Sequence, residues 1–398
     1  MSLIGWVIFL VALLVSVMLH ETGHFVLAKR FGMKVTRYFV GFGPTIWSTW
    51  RGETEYGIKA LPVGGFVKIV GMHSLDDPDD PDDEARSFRR APAWQRILVL
   101  AAGSFMHFLL AFLLIVGLAL GIGIENDNTT QLGTVSTCVA SNLTALNNGT
   151  CAASDPASPA RMAGLRVGDK VTAFDGHPVS TWTQLGTAIR NAPVGSPATI
   201  TVLRDGKQLI LHTTLARVSG RSGAYLGIAP TIVFQVASPL RAIEYGGTAF
   251  GQVIVGSAKA VAALPAALPK LYSKDRSNTA AGQVSSVVGA AEATGAAVAA
   301  NVGWQYKVSF ILLLIASLNI FIGAFNLLPL LPMDGGHIAV IIYERIRAGI
   351  ARLRRRPDPG LANMAKLLPV SFSLFLVLVI FGAMLILADI VNPVNIAG

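Results

Sequence analysis

Four stretches of the chain are apolar almost without interruption: Leu3–Leu27, Ile97–Ile124, Val308–Leu331 and Val370–Ile390. Each reaches the roughly 18 residues at which an apolar run predicts a membrane-spanning helix. After the first run, VTRYFVGFGPTIWSTWRGETEYGIKALPVGGFVKIVG alternates apolar with small or polar residues, broken by Gly41, Gly43, Gly57, Gly64 and Gly65. That is a hairpin pattern. Its apolarity suits a place tucked into the membrane or lining a cavity, because strand backbone at that depth needs protection. HSLDDPDDPDDEARSF follows as a solvated acidic linker. Within residues 130–218, VTAFDGHPV and ITVLRDGKQLILHTTL each set Asp-Gly between β-rich runs, and TWTQLGTAIRNA between them reads as a helix. This predicts a compact β-rich module. SPLRAIEYGGTAFGQVIVGSAKAVAALPAAL has helical spacing, but Lys259 and its glycines favour an amphipathic helix on the outer membrane surface over a fifth span.

Composition agrees: 52% of the 398 residues are hydrophobic and 14% charged, against about a quarter charged in soluble domains. The fold class predicted is a polytopic α-helical membrane protein with about four transmembrane helices, a membrane-associated hairpin region and an inserted soluble domain. The net charge of +9 is concentrated in two loops, so it marks topology rather than nucleic-acid binding. Lys29, Arg30, Lys34, Arg37, Arg51, Lys59, Lys68, Arg86, Arg89, Arg90 and Arg96 lie between the first two spans. Arg345, Arg347, Arg352, Arg354, Arg355, Arg356 and Lys366 lie between the last two. The positive-inside rule puts both loops in the cytoplasm and both termini outside. No basic segment precedes the first run, which therefore reads as a retained span rather than a cleaved signal.

The organisation expected is a first transmembrane helix at 1–28, a cytoplasmic-side β-rich re-entrant loop with the acidic linker at 29–94, and a second helix at 95–124. An extracytoplasmic domain at 125–220 and an amphipathic segment at 221–305 follow. A third helix occupies 306–340, a basic loop 341–368, and a fourth helix with its tail 369–398. Both cysteines, Cys138 and Cys151, fall in the segment assigned outside, where a disulfide closing that small loop suits an oxidising compartment.

The first span carries the chemistry. His20-Glu21-Thr22-Gly23-His24 fits H-E-x-x-H. Residues four apart share a helix face, so both imidazoles can address one metal ion, and Glu21 beside them can take a proton from an attacking water. Ionisable groups inside a membrane are expensive and by default functional. His20 precedes Lys29 by nine residues, about 13 Å inside the cytoplasmic boundary. A catalytic zinc site needs a third protein ligand at similar depth. His107, Asp334 and His337 all qualify by position. Asp334 is favoured because it follows NLLPLLPM, where Pro329 and Pro332 break the helix and Gly335-Gly336 frees the backbone.

HETGH in a first span, paired with N-x-x-P and DGG near the end of a later one, resembles the site-2 protease family of zinc intramembrane metalloproteases. Within it, the chain resembles the bacterial RseP type and the actinobacterial branch that processes anti-sigma factors. VGFGP is similar to that family's GxG segment, EYGIKALPVGGFVKIVGM to the β-rich stretch after it, and PAWQRILVLAAGSFMHFLLAF to its second core helix. SPARMAGLRVGDKVTAFDGHPVSTW resembles a bacterial PDZ domain. The spacing departs in one respect, with Pro332 one residue later than in the RseP type.

The resemblance implies one Zn2+ held by His20, His24 and Asp334, with Glu21 as catalytic base. It implies substrate contacts at Asn326, at Gly41, Phe42 and Gly43, and along the broken stretch with Pro329 and Pro332. It further implies a single-pass transmembrane substrate, anti-sigma-factor-like and pre-trimmed by another protease, a peptide ligand or filtering role for the PDZ domain, and a bacterial cytoplasmic membrane location. Two other classes compete. A zinc transporter would need ionisable groups spaced along the span, whereas His20 and His24 form one cluster. A PDZ-bearing scaffold would leave Glu21 and Asp334 without purpose.

Overall fold

The computed structural model describes residues 3–72, 81–126, 128–140, 151–219, 223–273, 286–300, 302–362 and 367–392. The acidic run Asp76–Asp80 of the linker lies outside the described residues. The chain forms two compact units, residues 1–120 with 238–397, and residues 121–237.

In the first unit, α1 (Leu3–Arg30) leads into strands β1 (Val35–Arg51) and β2 (Thr54–Ile69). A short α2 (Pro81–Ala85) precedes α3 (Ala93–Gly121). Helices α1 and α3, together with two later ones, are long and apolar enough to cross a membrane. Both strands bend. Arg37–Val40 pairs on one side with Gly65–Lys68 and on the other with Glu55–Ile58, while Trp47–Arg51 closes against Thr54–Ile58. Gly41 and Gly43 make the bend in β1 with φ of 86° and 85°, values other residues avoid. A Cβ on Gly41 would also stand 2.6 Å from the Leu61 carbonyl oxygen. Charge holds the base of this sheet: Glu53, in the turn between β1 and β2, accepts from Arg86 (2.7 and 2.9 Å) and from Lys29 (2.9 Å). The Arg86 hydrogen bonds hold the Glu53 carboxyl well below its ordinary range, at about 2.

The second unit contains β3 (Ile124–Asn126), β4 (Leu132–Val135), α4 (Pro159–Met162), β5 (Lys170–Phe174), β6 (His177–Pro178) and α5 (Trp182–Asn191). It continues with β7 (Pro197–Arg204), β8 (Lys207–Thr214), β9 (Ile228–Pro230) and β10 (Val233–Gln235). Four strands form an antiparallel sheet in the order β6-β5-β7-β8. Leu185 and Ile189 of α5 bury against Val171, Phe174, Ile200 and Val202 of that sheet. This compact unit spans 121–237, wider than the 125–220 read from the sequence. The reason is pairing: β9 returns to β4, and β10 returns to β3. Cys138 and Cys151 are joined, with Cα atoms 6.0 Å apart.

Back in the first unit come α6 (Pro239–Ala267), α7 (Val287–Ala299), α8 (Trp304–Asn326), α9 (Asp334–Leu353) and α10 (Leu368–Val391). The α8 and α10 segments supply the other two span-length apolar helices. One face of α6, with Tyr245, Ala249, Phe250 and Val253, packs on Ala111, Ile115, Ala316 and Ile320 of α3 and α8. The segment 221–305 therefore holds a helix joined to the bundle as well as α7, which sits so close to α1 that a Cβ on Gly5 would overlap the Thr294–Gly295 backbone. The stretch 306–340, read as a helix broken at Pro329 and Pro332, comprises α8 and α9, separated by Leu327–Met333. Pro329 and Pro332 lie in the gap, where a proline cannot donate the helical hydrogen bond. Accordingly α9 carries helix far into the stretch 341–368 read as a loop.

Candidate metal centre

Three helices build one buried point. The four-residue spacing of His20 and His24 on α1 brings their Nε2 atoms to 3.0 Å of each other. Asp334, the first residue of α9, places Oδ2 3.4 Å from His20 Nε2 and 3.5 Å from His24 Nε2. These three residues are a group able to hold a metal ion. The two separations to Asp334 match the edge of a tetrahedron with bonds of about 2.1 Å, which is about 3.4 Å, and the His20–His24 separation is shorter. Asp334 Oδ2 and His20 Nδ1 are buried without a hydrogen-bond partner among the described residues, a costly arrangement for a carboxylate unless a cation completes it.

The surroundings orient the ligands. His24 Nδ1 lies 2.7 Å from the Val99 carbonyl oxygen of α3. A carbonyl accepts, so Nδ1 carries the proton and Nε2 presents its lone pair to the centre, as metal-ligating histidines require. Gly103 of α3 forms the floor: a Cβ there would stand 2.5 Å from His20 Cε1 and 2.6 Å from His24 Nε2. Gly23 lets α1 and α3 meet, since a Cβ on it would lie 2.5 Å from the Ala102 carbonyl oxygen. On α9, a Cβ on Gly335 would overlap the Leu327 carbonyl, and one on Gly336 would lie 2.6 Å from the Leu330 carbonyl carbon. The two glycines thus let the broken stretch fold tightly back over the start of α9, which fixes Asp334. Arg96 of α3 bonds Glu344 of α9 at 3.1 Å, and both are buried. This pair ties the body of α9 to the same helix that carries Gly103.

Glu21 stands between the two histidines in sequence, and its Oε2 accepts a hydrogen bond from the Val67 N–H of β2 at 3.0 Å. Tyr38, opposite Val67 on β1, is anchored on α1 through its hydroxyl to Thr22 Oγ1 at 2.8 Å and to the Met18 carbonyl at 3.3 Å. One margin of the bent sheet is therefore docked beside the glutamate. Phe66, next to Val67, stacks with Phe39 and Phe42, so Gly41-Phe42-Gly43 belongs to the same small sheet.

The other sequence candidates fall as follows. Asn326 is the last residue of α8, half-buried, at the entrance of the stretch that ends in Asp334. Pro329 and Pro332 are exposed in that stretch. His107 is outside the ligand trio. Its Nδ1 lies 2.7 Å from Asn319 Oδ1, and Asn319 Nδ2 donates to Ser16 Oγ at 3.0 Å and to the Ile315 carbonyl at 2.8 Å. With both amide hydrogens so used, Oδ1 must accept from His107. His337 lies on α9 and is likewise outside the trio. Sequence reading missed Gly103, Val67, Val99 and Asn319. Only Gly103, a lone glycine in an apolar helix, and Asn319, a lone amide in one, left any signal.

Two histidines and an adjacent glutamate lie on α1, a helix apolar enough to cross a membrane, and the Asp334 carboxylate of α9 meets the histidines, a donor set that fits a zinc peptidase. The profile of peptidase family M50 matches residues 8–357. The chain belongs to this family, the site-2 proteases, and is a zinc metalloendopeptidase. It is 36% identical to zinc metalloprotease Rip1 of Mycobacterium tuberculosis, over 100% of this chain and 99% of that protein. Against Rip1 of Mycolicibacterium smegmatis the identity is 37%, over 99% and 98%. A putative zinc metalloprotease of Fusobacterium nucleatum, FN1322, is 28% identical over 83% and 85%. Among solved structures, the PDZ domain of the SdrC-like protein Lmo2051 from Listeria monocytogenes aligns with 28% of this chain and 92% of its own. The identity there is 18% and the TM-score 0.18.

Proposed function

We propose that this protein cuts single-pass membrane proteins within their transmembrane segments, after another protease has trimmed them on the extracytoplasmic side, with anti-sigma factors as the substrate class. The observation that carries this reading is the convergence of His20, His24 and Asp334 beside a glutamate whose carboxylate is held by a β-strand N–H. Zinc bound by the trio supplies Lewis acidity to the scissile carbonyl and to the attacking water. Glu21 accepts the proton of that water on its carboxylate and passes it to the leaving amide nitrogen. Val67 N–H holds the carboxylate in place for both transfers. A helical substrate must unwind to expose its backbone, and strand addition to the bent β1–β2 sheet gives that backbone partners. Asn326 and the Leu327–Met333 stretch, which leads into Asp334, position the same segment.

The PDZ reading of the second unit is supported by its four-stranded sheet and α5, and its extracytoplasmic place by the Cys138–Cys151 bond and the sparse basic residues there. The test is co-expression of single-pass candidates, full-length or pre-trimmed, with wild type or Glu21→Gln. The trimmed form should be cut by wild type alone, and Glu21→Gln should keep its zinc. Cleavage that survives Glu21→Gln removes the base assignment. Equal cutting of both forms removes the trimming requirement.

A further inference from the structure

We infer that α9 is a lipid-reading helix: its outer face rests on anionic phospholipid headgroups of the bilayer and steadies the helix whose first residue is the zinc ligand Asp334. The inference rests on the proposed placement of the metal centre within the membrane.

Helix α9 has two apolar faces. One carries Ile338, Ile341 and Glu344, and meets the core and Arg96. The other carries Ile342, Ile346, Ile350 and Leu353, at i, i+4, i+8 and i+11, a single helical stripe. These four are exposed, Leu353 by 90%. Asp334 precedes Arg345 by eleven residues, about 16 Å of helix. The stripe continues for eight residues beyond Arg345, another 12 Å or so. A helix standing upright there would carry Ile346, Ile350 and Leu353 into water.

Charge decides the occupant. Arg345 and Arg352 lie along one edge of the stripe, and Arg354, Arg355 and Arg356 follow it, all exposed. Among the described residues no ion pair engages these five. An apolar stripe edged by arginines fits the boundary between acyl chains and anionic headgroups. A second protein helix would need no such rim.

The test uses the full-length protein with Ile350→Cys carrying an environment-sensitive fluorophore, reconstituted in phosphatidylcholine vesicles with or without phosphatidylglycerol. Brominated acyl chains should quench the label, and more strongly when phosphatidylglycerol is present. Replacing Arg352, Arg354, Arg355 and Arg356 with glutamine, or raising salt, should abolish the increment. Cleavage of a co-reconstituted substrate should rise with phosphatidylglycerol for wild type and not for the glutamine variant. A label open to aqueous quencher in every vesicle overturns the inference, as does quenching that ignores lipid charge or protection that appears only with substrate or at high protein density. Glu21-dependent cleavage persisting in those cases leaves the peptidase reading standing and refutes the lipid role alone.

Discussion

Gly103→Ala should weaken zinc binding without replacing any of the three residues proposed to hold the metal. The added Cβ would stand 2.6 Å from His24 Nε2 and 2.5 Å from His20 Cε1. Ordinary contact is about 3.5 Å, so one or both rings would have to retreat by about 0.9 Å. Zinc ligands tolerate about 0.2 Å. The rings also cannot retreat together, because His24 Nδ1 is pinned by the Val99 carbonyl on the same helix that carries the new methyl. Overpacking of this kind costs about 1–3 kcal/mol, and if it is relieved by displacing the ligands it appears as a loss of zinc affinity of about 5- to 150-fold. The assay is zinc content after dialysis against a graded chelator, with thermal unfolding of the metal-free protein in parallel. Gly117→Ala on the same helix, where a Cβ meets nothing within 4 Å, should hold zinc as wild type does. Wild-type zinc affinity in Gly103→Ala would refute the packing argument.

Val67→Pro should lower kcat by about 10- to 150-fold, the worth of about 1.5–3 kcal/mol for a hydrogen bond to a charged group, while Val67→Ala stays near wild type. The N–H concerned faces Glu21 rather than β1, so proline removes that bond and leaves the ladder whole; equal rates for the two variants would count against base positioning. Glu53→Gln tests the clamp on the sheet. Because the folded carboxyl sits at about 2, below its ordinary 4.5, its contribution is present above pH 4.5 and drains away as pH falls toward 2. The stability gap between wild type and Glu53→Gln, from thermal unfolding, should therefore shrink across that window, and a gap that widens on acidification refutes the sign. Asn319→Leu leaves His107 Nδ1–H and Ser16 without their partner; a loss of about 1–3 kcal/mol is expected in chemical unfolding, with zinc stoichiometry unchanged.

The four apolar runs show how far local pattern reaches. A span needs no partner to announce itself, since its length and composition answer to the bilayer alone. The same holds for His20, Glu21 and His24, whose relation is set by one helical turn. Asp334 was legible to a lesser degree: a broken helix bearing an acid advertised a site, but His107 and His337 fitted the depth argument equally. Position along a membrane normal is one coordinate, and choosing a ligand takes three. The second unit extends past the residues its local pattern marks because β9 and β10 pair with strands about a hundred residues earlier, which no window along the chain can register.

What the sequence by itself determined is the apolar framework and the shared face of His20 and His24 on α1, because both follow from periodicity within a single element. The tertiary structure alone decided which distant acid lies beside the two histidines, that Gly103 makes room for their rings, and that a strand N–H holds Glu21. Each of these is a contact between elements remote in sequence, and its physical content is a distance of a few ångströms that only packing creates.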